Sequence, residues 1–163
     1  MPTARESPFV GRVRELRGLE DAFEDACHGR GGMQILLGEP GVGKTRLANA
    51  LVEHARAHDA RVVETRGWAH AGPAYWPWVE IVRALSADLG GEALRRELRS
   101  AADQLLRLVP ELGARLPGAQ APALEPGDDE IARFALFDAL AALLRARSSA
   151  ASCLLYTSDA ADE

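Results

Sequence analysis

The chain has 163 residues, 47% of them hydrophobic and 26% charged, with a formal net charge of −5. This is the composition of a folded chain of about one domain, and it excludes wholesale disorder. No apolar run approaches the ~18 residues that a membrane-spanning helix needs, and the first eight residues lack the apolar centre of a signal peptide, so a cytoplasmic chain is expected.

The acidic balance argues against direct nucleic-acid contact by this segment, because such surfaces cluster Lys and Arg against phosphates. Cys27 and Cys153 lie far apart without metal-ligand spacing and read as small hydrophobes. Of the 19 basic residues, 18 are Arg and one, Lys44, is Lys. Where Arg has taken nearly every generic positive position, a single Lys calls for a specific chemical reason.

Val13, Leu16, Leu19, Phe23 and Cys27 recur at helical spacing and predict a helix from 13 to 27, ended by Gly29, Gly31 and Gly32. Met33 to Leu37 is a short apolar run bounded by glycines and reads as a buried strand. A helix follows from Gly43 to His58 with an apolar stripe of Leu47, Ala48, Leu51, Val52 and Ala55. Arg61 to Arg66 reads as a second strand, completing a strand–helix–strand unit of α/β type. Residues 67 to 78 form a loop with all three tryptophans. Pro77 suits the first turn of a helix running to Leu89. Gly90 and Gly91 break it, a further helix is expected from Glu92 to Val109, and residues 116 to 127 read as a surface loop. Asp128 or Asp129 can cap a last helix running to Arg147, with Leu136, Phe137, Leu140, Leu143 and Leu144 on one face.

The chemistry concentrates at Gly38-Glu39-Pro40-Gly41-Val42-Gly43-Lys44-Thr45, which fits G-x-x-x-x-G-K-[ST] at every fixed position between a predicted strand and a predicted helix. Wrapping a polyphosphate with main-chain N–H groups requires close backbone approach and left-handed angles, and glycine permits both. The amino terminus of the following helix adds unpaired N–H groups and the positive end of its dipole. In this pattern Lys44 reaches the β- and γ-phosphates of a bound triphosphate and the Thr45 hydroxyl coordinates Mg²⁺.

Other constellations give less. His54 and His58 stand four apart, but Ala55 occupies the place where a metalloprotease helix needs Glu, so both are read as edge-of-core or surface histidines. Tyr75, Trp76 and Trp78 are read as packing residues rather than base-stacking ones. Arg95, Arg96, Arg99 and Arg107 are read as a solvated helical face with Glu92, Glu97 and Asp103.

Four segments in order, Phe9-Val10-Gly11-Arg12, the Gly38 to Leu47 stretch, Pro73 to Trp78 and Arg133 to Asp138, resemble an AAA-type, origin-recognition-complex-like ATP-binding domain of the STAND group. Such domains occur in large LuxR-type transcriptional regulators and related bacterial signalling proteins. The resemblance covers residues 8 to 147. It implies an α/β P-loop NTPase core with an incomplete parallel sheet, flanking helices and a helix-rich second half, in a chain that binds ATP and Mg²⁺ and reaches DNA only through a further domain of its parent. It places Phe9, Val10 and Arg12 near the adenine, Gly38, Glu39, Pro40, Gly41, Val42, Gly43, Lys44, Thr45 and Arg46 around the phosphates, and Thr45 on the metal. In such domains the last helix leads into an apolar strand ending in paired acids. Here Ser152 to Glu163 offers only a short apolar run, makes a poor strand end, and looks like translated adaptor sequence. The expected division is therefore 1–151 as the amino-terminal part of the domain and 152–163 as a non-native tail, with the acidic strand missing, hydrolysis by this chain not expected, and marginal stability. A P-loop kinase of a small molecule or nucleotide is the alternative that shares the same loop.

Overall fold

The computed structural model of the chain describes residues 11–67, 73–98, 101–116, 118–122 and 129–159. They fall into two compact units, one reaching to Ala60 and the other starting at Arg61.

In the first unit, helix α1 spans Val13–Cys27, the range its periodicity predicts, and buries Leu19 and Phe23. Helix α2 spans Lys44–Ala57 and buries Leu47, Ala48, Val52 and Ala55 along one stripe, and the two helices pack together. Phe23 presents its ring edge to His54 at 5.7 Å and to His58 at 6.0 Å, and the two imidazoles lie 4.3 Å apart between centroids. His54 also faces the Glu20 carboxylate at 3.7 Å. Both histidines thus border the small α1–α2 core, as expected.

The predicted strand at Met33 to Leu37 does not form. These residues have no regular structure, and Met33, Ile35 and Leu37 are 81%, 67% and 86% exposed. A strand exists only through a neighbour that accepts its backbone hydrogen bonds, and the described residues of this unit contribute helices alone. An apolar run without that neighbour stays open chain. The expected strand–helix–strand unit is therefore reduced to its helix and second strand.

The second unit holds the sheet. Strand β1, Arg61–Gly67, alternates Val63 and Thr65 inward with Glu64 and Arg66 outward. Its partner is β2, Cys153–Asp159, paired in parallel with Arg61 opposite Cys153 and Gly67 opposite Asp159. The expectation that Ser152 to Glu163 makes a poor strand end is thus corrected, since β2 stays paired as far as Asp159. The open edge of β1 supplies backbone partners along the whole of β2, and Cys153 and Leu155 pack on the core.

Helix α3 spans Trp76–Ser86, starting earlier than the sequence predicts, with Pro77 in its first turn. The single helix expected from Glu92 to Val109 is described as α4, Gly91–Leu98, and α5, Ala101–Leu108, followed by a 3₁₀ helix at Pro110–Arg115. Helix α6 spans Asp129–Ala150. Val82, Leu85, Leu94, Leu105, Val109, Leu116 and Leu143 are completely buried in one continuous core, and each such leucine stabilises the fold by about 1.5–3 kcal/mol. Trp76 and Trp78 pack against this core, in line with the packing reading of the aromatic loop. Gly91 is dictated by close approach, since a Cβ there would collide with the carbonyl oxygen of Arg115. The Arg115 guanidinium in turn donates to the carbonyls of Ser86 and Leu89, closing the end of α3.

One ion network ties this unit together. Arg147 of α6, only 5% exposed, donates to the Asp88 carboxylate at 2.9 and 3.0 Å and to Glu97 at 3.2 Å. Arg61 of β1 grips the same Asp88 carboxylate at 2.7 and 3.2 Å. The hydrogen bonds from Arg61, with the nearby Arg147 charge adding to them, hold the Asp88 carboxyl at about 2 against its ordinary 3.8.

Candidate functional site

The segment Gly38 to Thr45 makes a turn that ends where α2 begins at Lys44. Two glycines set its path. Gly41 has φ +75° and Gly43 has φ +94°, both in the left-handed region that costs a side chain roughly 1 kcal/mol or more. Gly38 is constrained differently, because a Cβ on it would lie 2.9 Å from Cγ1 of Val42. The Val42 N–H donates to the carbonyl of Glu39 at 3.3 Å, closing the turn.

The start of α2 follows from Gly43. Its carbonyl accepts the Leu47 N–H at 3.0 Å, the first bond of the helix. As the capping residue it brings no side chain to accept from the N–H groups of the first turn. A helix that begins on glycine therefore has no side-chain oxygen at its cap, and its positive dipole end suits an anion.

Lys44, at the first position of the helix, turns back over the loop. Its Nζ donates to the carbonyl of Gly38 at 3.0 Å and to that of Glu39 at 3.2 Å. The ammonium is thus held at the loop entrance by two main-chain oxygens, fixing both the loop's shape and the place of its positive charge. Glu39, Pro40, Thr45 and Arg46 belong to the same exposed turn and first helical turn.

Of the other predicted site residues, one is described by the structure. Arg12 is the residue capping α1, where its carbonyl accepts the Leu16 N–H at 3.0 Å. Phe9 and Val10 lie outside the described residues. Arg107, read from the sequence as part of a solvated face, is half-buried and donates to the Pro122 carbonyl at 3.0 Å. Arg83 and Glu111, absent from the sequence reading, form an ion pair on a cavity of the second unit. They are 28 positions apart, and no local pattern links them.

The profile of the AAA ATPase domain family matches residues 8–163. No curated protein matches the chain, and no solved structure does.

Proposed function

Because the chain belongs to the AAA ATPase domain family, we propose that its nucleotide is ATP with Mg²⁺, and that it serves as the ATP-binding module of a larger bacterial signalling or transcriptional regulator of the STAND, LuxR-type kind. The loop amides of Gly41 to Gly43 and the first turn of α2 receive the β- and γ-phosphates, Lys44 supplies the compensating charge, and Thr45 coordinates the metal. Phe9, Val10 and Arg12 contribute to the adenine side.

The observation that carries this reading is the turn itself. Left-handed glycines at 41 and 43 end in a helix capped by glycine, with the chain's sole lysine drawn across the loop carbonyls. In this reading residues 1–151 are the amino-terminal part of the domain and 152–163 a non-native tail. An exposed sheet edge pairs with any extended apolar segment that reaches it, so β2 is compatible with a foreign origin. Asp159 is followed by Ala160 rather than a second acid, and phosphoryl transfer needs a positioned water as well as a loop. The chain accordingly binds ATP without turning it over.

Titration with a fluorescent ATP analogue in Mg²⁺ tests the proposal. Removing one charge-assisted contact costs about 1.5–3 kcal/mol, so Lys44→Ala weakens binding by roughly 10- to 150-fold. Equal affinity in the two proteins sinks the assignment. The genomic DNA beyond the codon for Ala151 tests the tail: an apolar strand closing on two acids is expected there.

A further inference from the structure

His54, in the last turn of α2, and His58, the residue that caps it, stand one helical turn apart on the same face. Each ring has its Nδ1 committed to an acceptor. His58 Nδ1 lies 2.8 Å from the carbonyl oxygen of His54, and since a carbonyl only accepts, that nitrogen carries the proton. His54 Nδ1 faces the Glu20 carboxylate of α1 at 3.7 Å, an anion that draws the ring proton to the same position. In both neutral rings the lone pair is therefore on Nε2. His54 Nε2 is buried and has no hydrogen-bond partner, a cost to the fold unless something else takes its lone pair.

Two imidazoles one turn apart, each fixed through Nδ1 by a carboxylate or a main-chain carbonyl, are the arrangement that presents Nε2 to a metal ion. The ring separation narrows the choice of metal. With metal–nitrogen bonds of about 2.0–2.1 Å, two rings meeting at a right angle have centres about 4.5 Å apart, and at the tetrahedral angle about 5 Å. The observed 4.3 Å is nearest the right-angle value, the geometry of Ni²⁺ and Cu²⁺ rather than of zinc. Among the described residues no group of three or more His, Cys, Asp or Glu side chains could hold a metal ion, so two imidazoles are the protein's share and water fills the remaining positions.

We propose that His54 and His58 chelate a divalent transition-metal ion of the Ni²⁺ or Cu²⁺ kind through their Nε2 atoms, with Glu20 as a positioning residue that acts through His54. The ion ties the last turn of α2 to its cap, on the helix that carries Lys44 at its other end. Mg²⁺ prefers oxygen ligands, so this site is separate from the one proposed at Thr45.

The test titrates the full, untagged chain with NiCl₂ by calorimetry, in excess Mg²⁺ and without nucleotide. One Ni²⁺ per chain is expected. His58→Asn, at an exposed position, removes half of the chelate and weakens binding at least about tenfold, and Glu20→Gln weakens it about tenfold, the usual loss for an orienting carboxylate. His28→Asn, at the exposed cap of α1, leaves it unchanged. Bound Ni²⁺ also broadens the ring signals of His54 and His58 in NMR and raises the Tm of the chain but not that of His58→Asn. If His58→Asn fails to fold, the broadening decides. No Ni²⁺ binding, undiminished binding in a folded His58→Asn, or broadening centred on other residues overturns the proposal, and unchanged affinity in Glu20→Gln overturns the role of Glu20.

Discussion

The two units put their apolar residues to different uses. In the second, leucines of α3, α4, α5 and α6 meet in one continuous core, and an ion network through Asp88 and the buried Arg147 joins β1 to α6. In the first, two helices share a core of Leu19, Phe23, Leu47, Ala48, Val52 and Ala55, while Met33, Ile35 and Leu37 face outward. Yet it is the first unit that carries the glycine turn and Lys44. A phosphate loop is specified by short-range backbone geometry and survives in a sparsely packed setting. The second unit depends on contacts between residues far apart in sequence, and there a single truncation is felt throughout.

This contrast can be broken by mutation. The largest effect is expected for Leu143→Ala, at a completely buried position of α6. Such truncations cost about 2–5 kcal/mol, read from urea denaturation followed by tryptophan fluorescence, since the described tryptophans Trp76 and Trp78 pack on this core. A loss under about 1 kcal/mol would mean that the core is not closed around α6.

An intermediate effect is expected in acid. Asp88 is held at about 2 in the fold against an ordinary 3.8, so its ionised form binds more strongly to the folded state than to the unfolded one. That contribution is complete above about pH 4 and is lost as the pH falls towards about 2. Asp88→Asn should flatten this part of the stability–pH curve. A curve of the same slope in the variant would assign the acid sensitivity to other carboxylates.

The smallest effect sharpens the comparison from the other side. Leu37→Ser replaces an exposed leucine and is expected to change stability by no more than about 0.5 kcal/mol. A loss comparable to that of Leu143→Ala would place Met33 to Leu37 in a packed strand in solution.

The first two helices and strand β1 were legible from the pattern of apolar residues. Val13–Cys27 matches its predicted bounds, and Lys44–Ala57 and Arg61–Gly67 lie within a residue of theirs. The glycine turn was legible too, because the φ values at Gly41 and Gly43 are ones that the motif demands of glycine. The two strand readings at Met33 and after Ser152 both failed, for one reason. Strand formation is decided by the neighbour and not by the run itself: Met33 to Leu37 is more apolar but unpaired, and Cys153–Asp159 is less apolar but lies beside β1. Arg147 illustrates the same limit, since nothing at position 147 announces that Asp88 and Glu97 will surround it.

By itself, then, the sequence determined what short-range geometry controls: the helical stripes, and a loop whose glycines and single lysine act within eight positions of one another. Tertiary structure alone decided which apolar run became a strand, which arginine was buried among carboxylates, and where Arg83, Arg107 and Glu111 meet at a cavity. Those outcomes depend on backbone hydrogen bonds and charges brought together from distant positions, and no local pattern encodes that proximity.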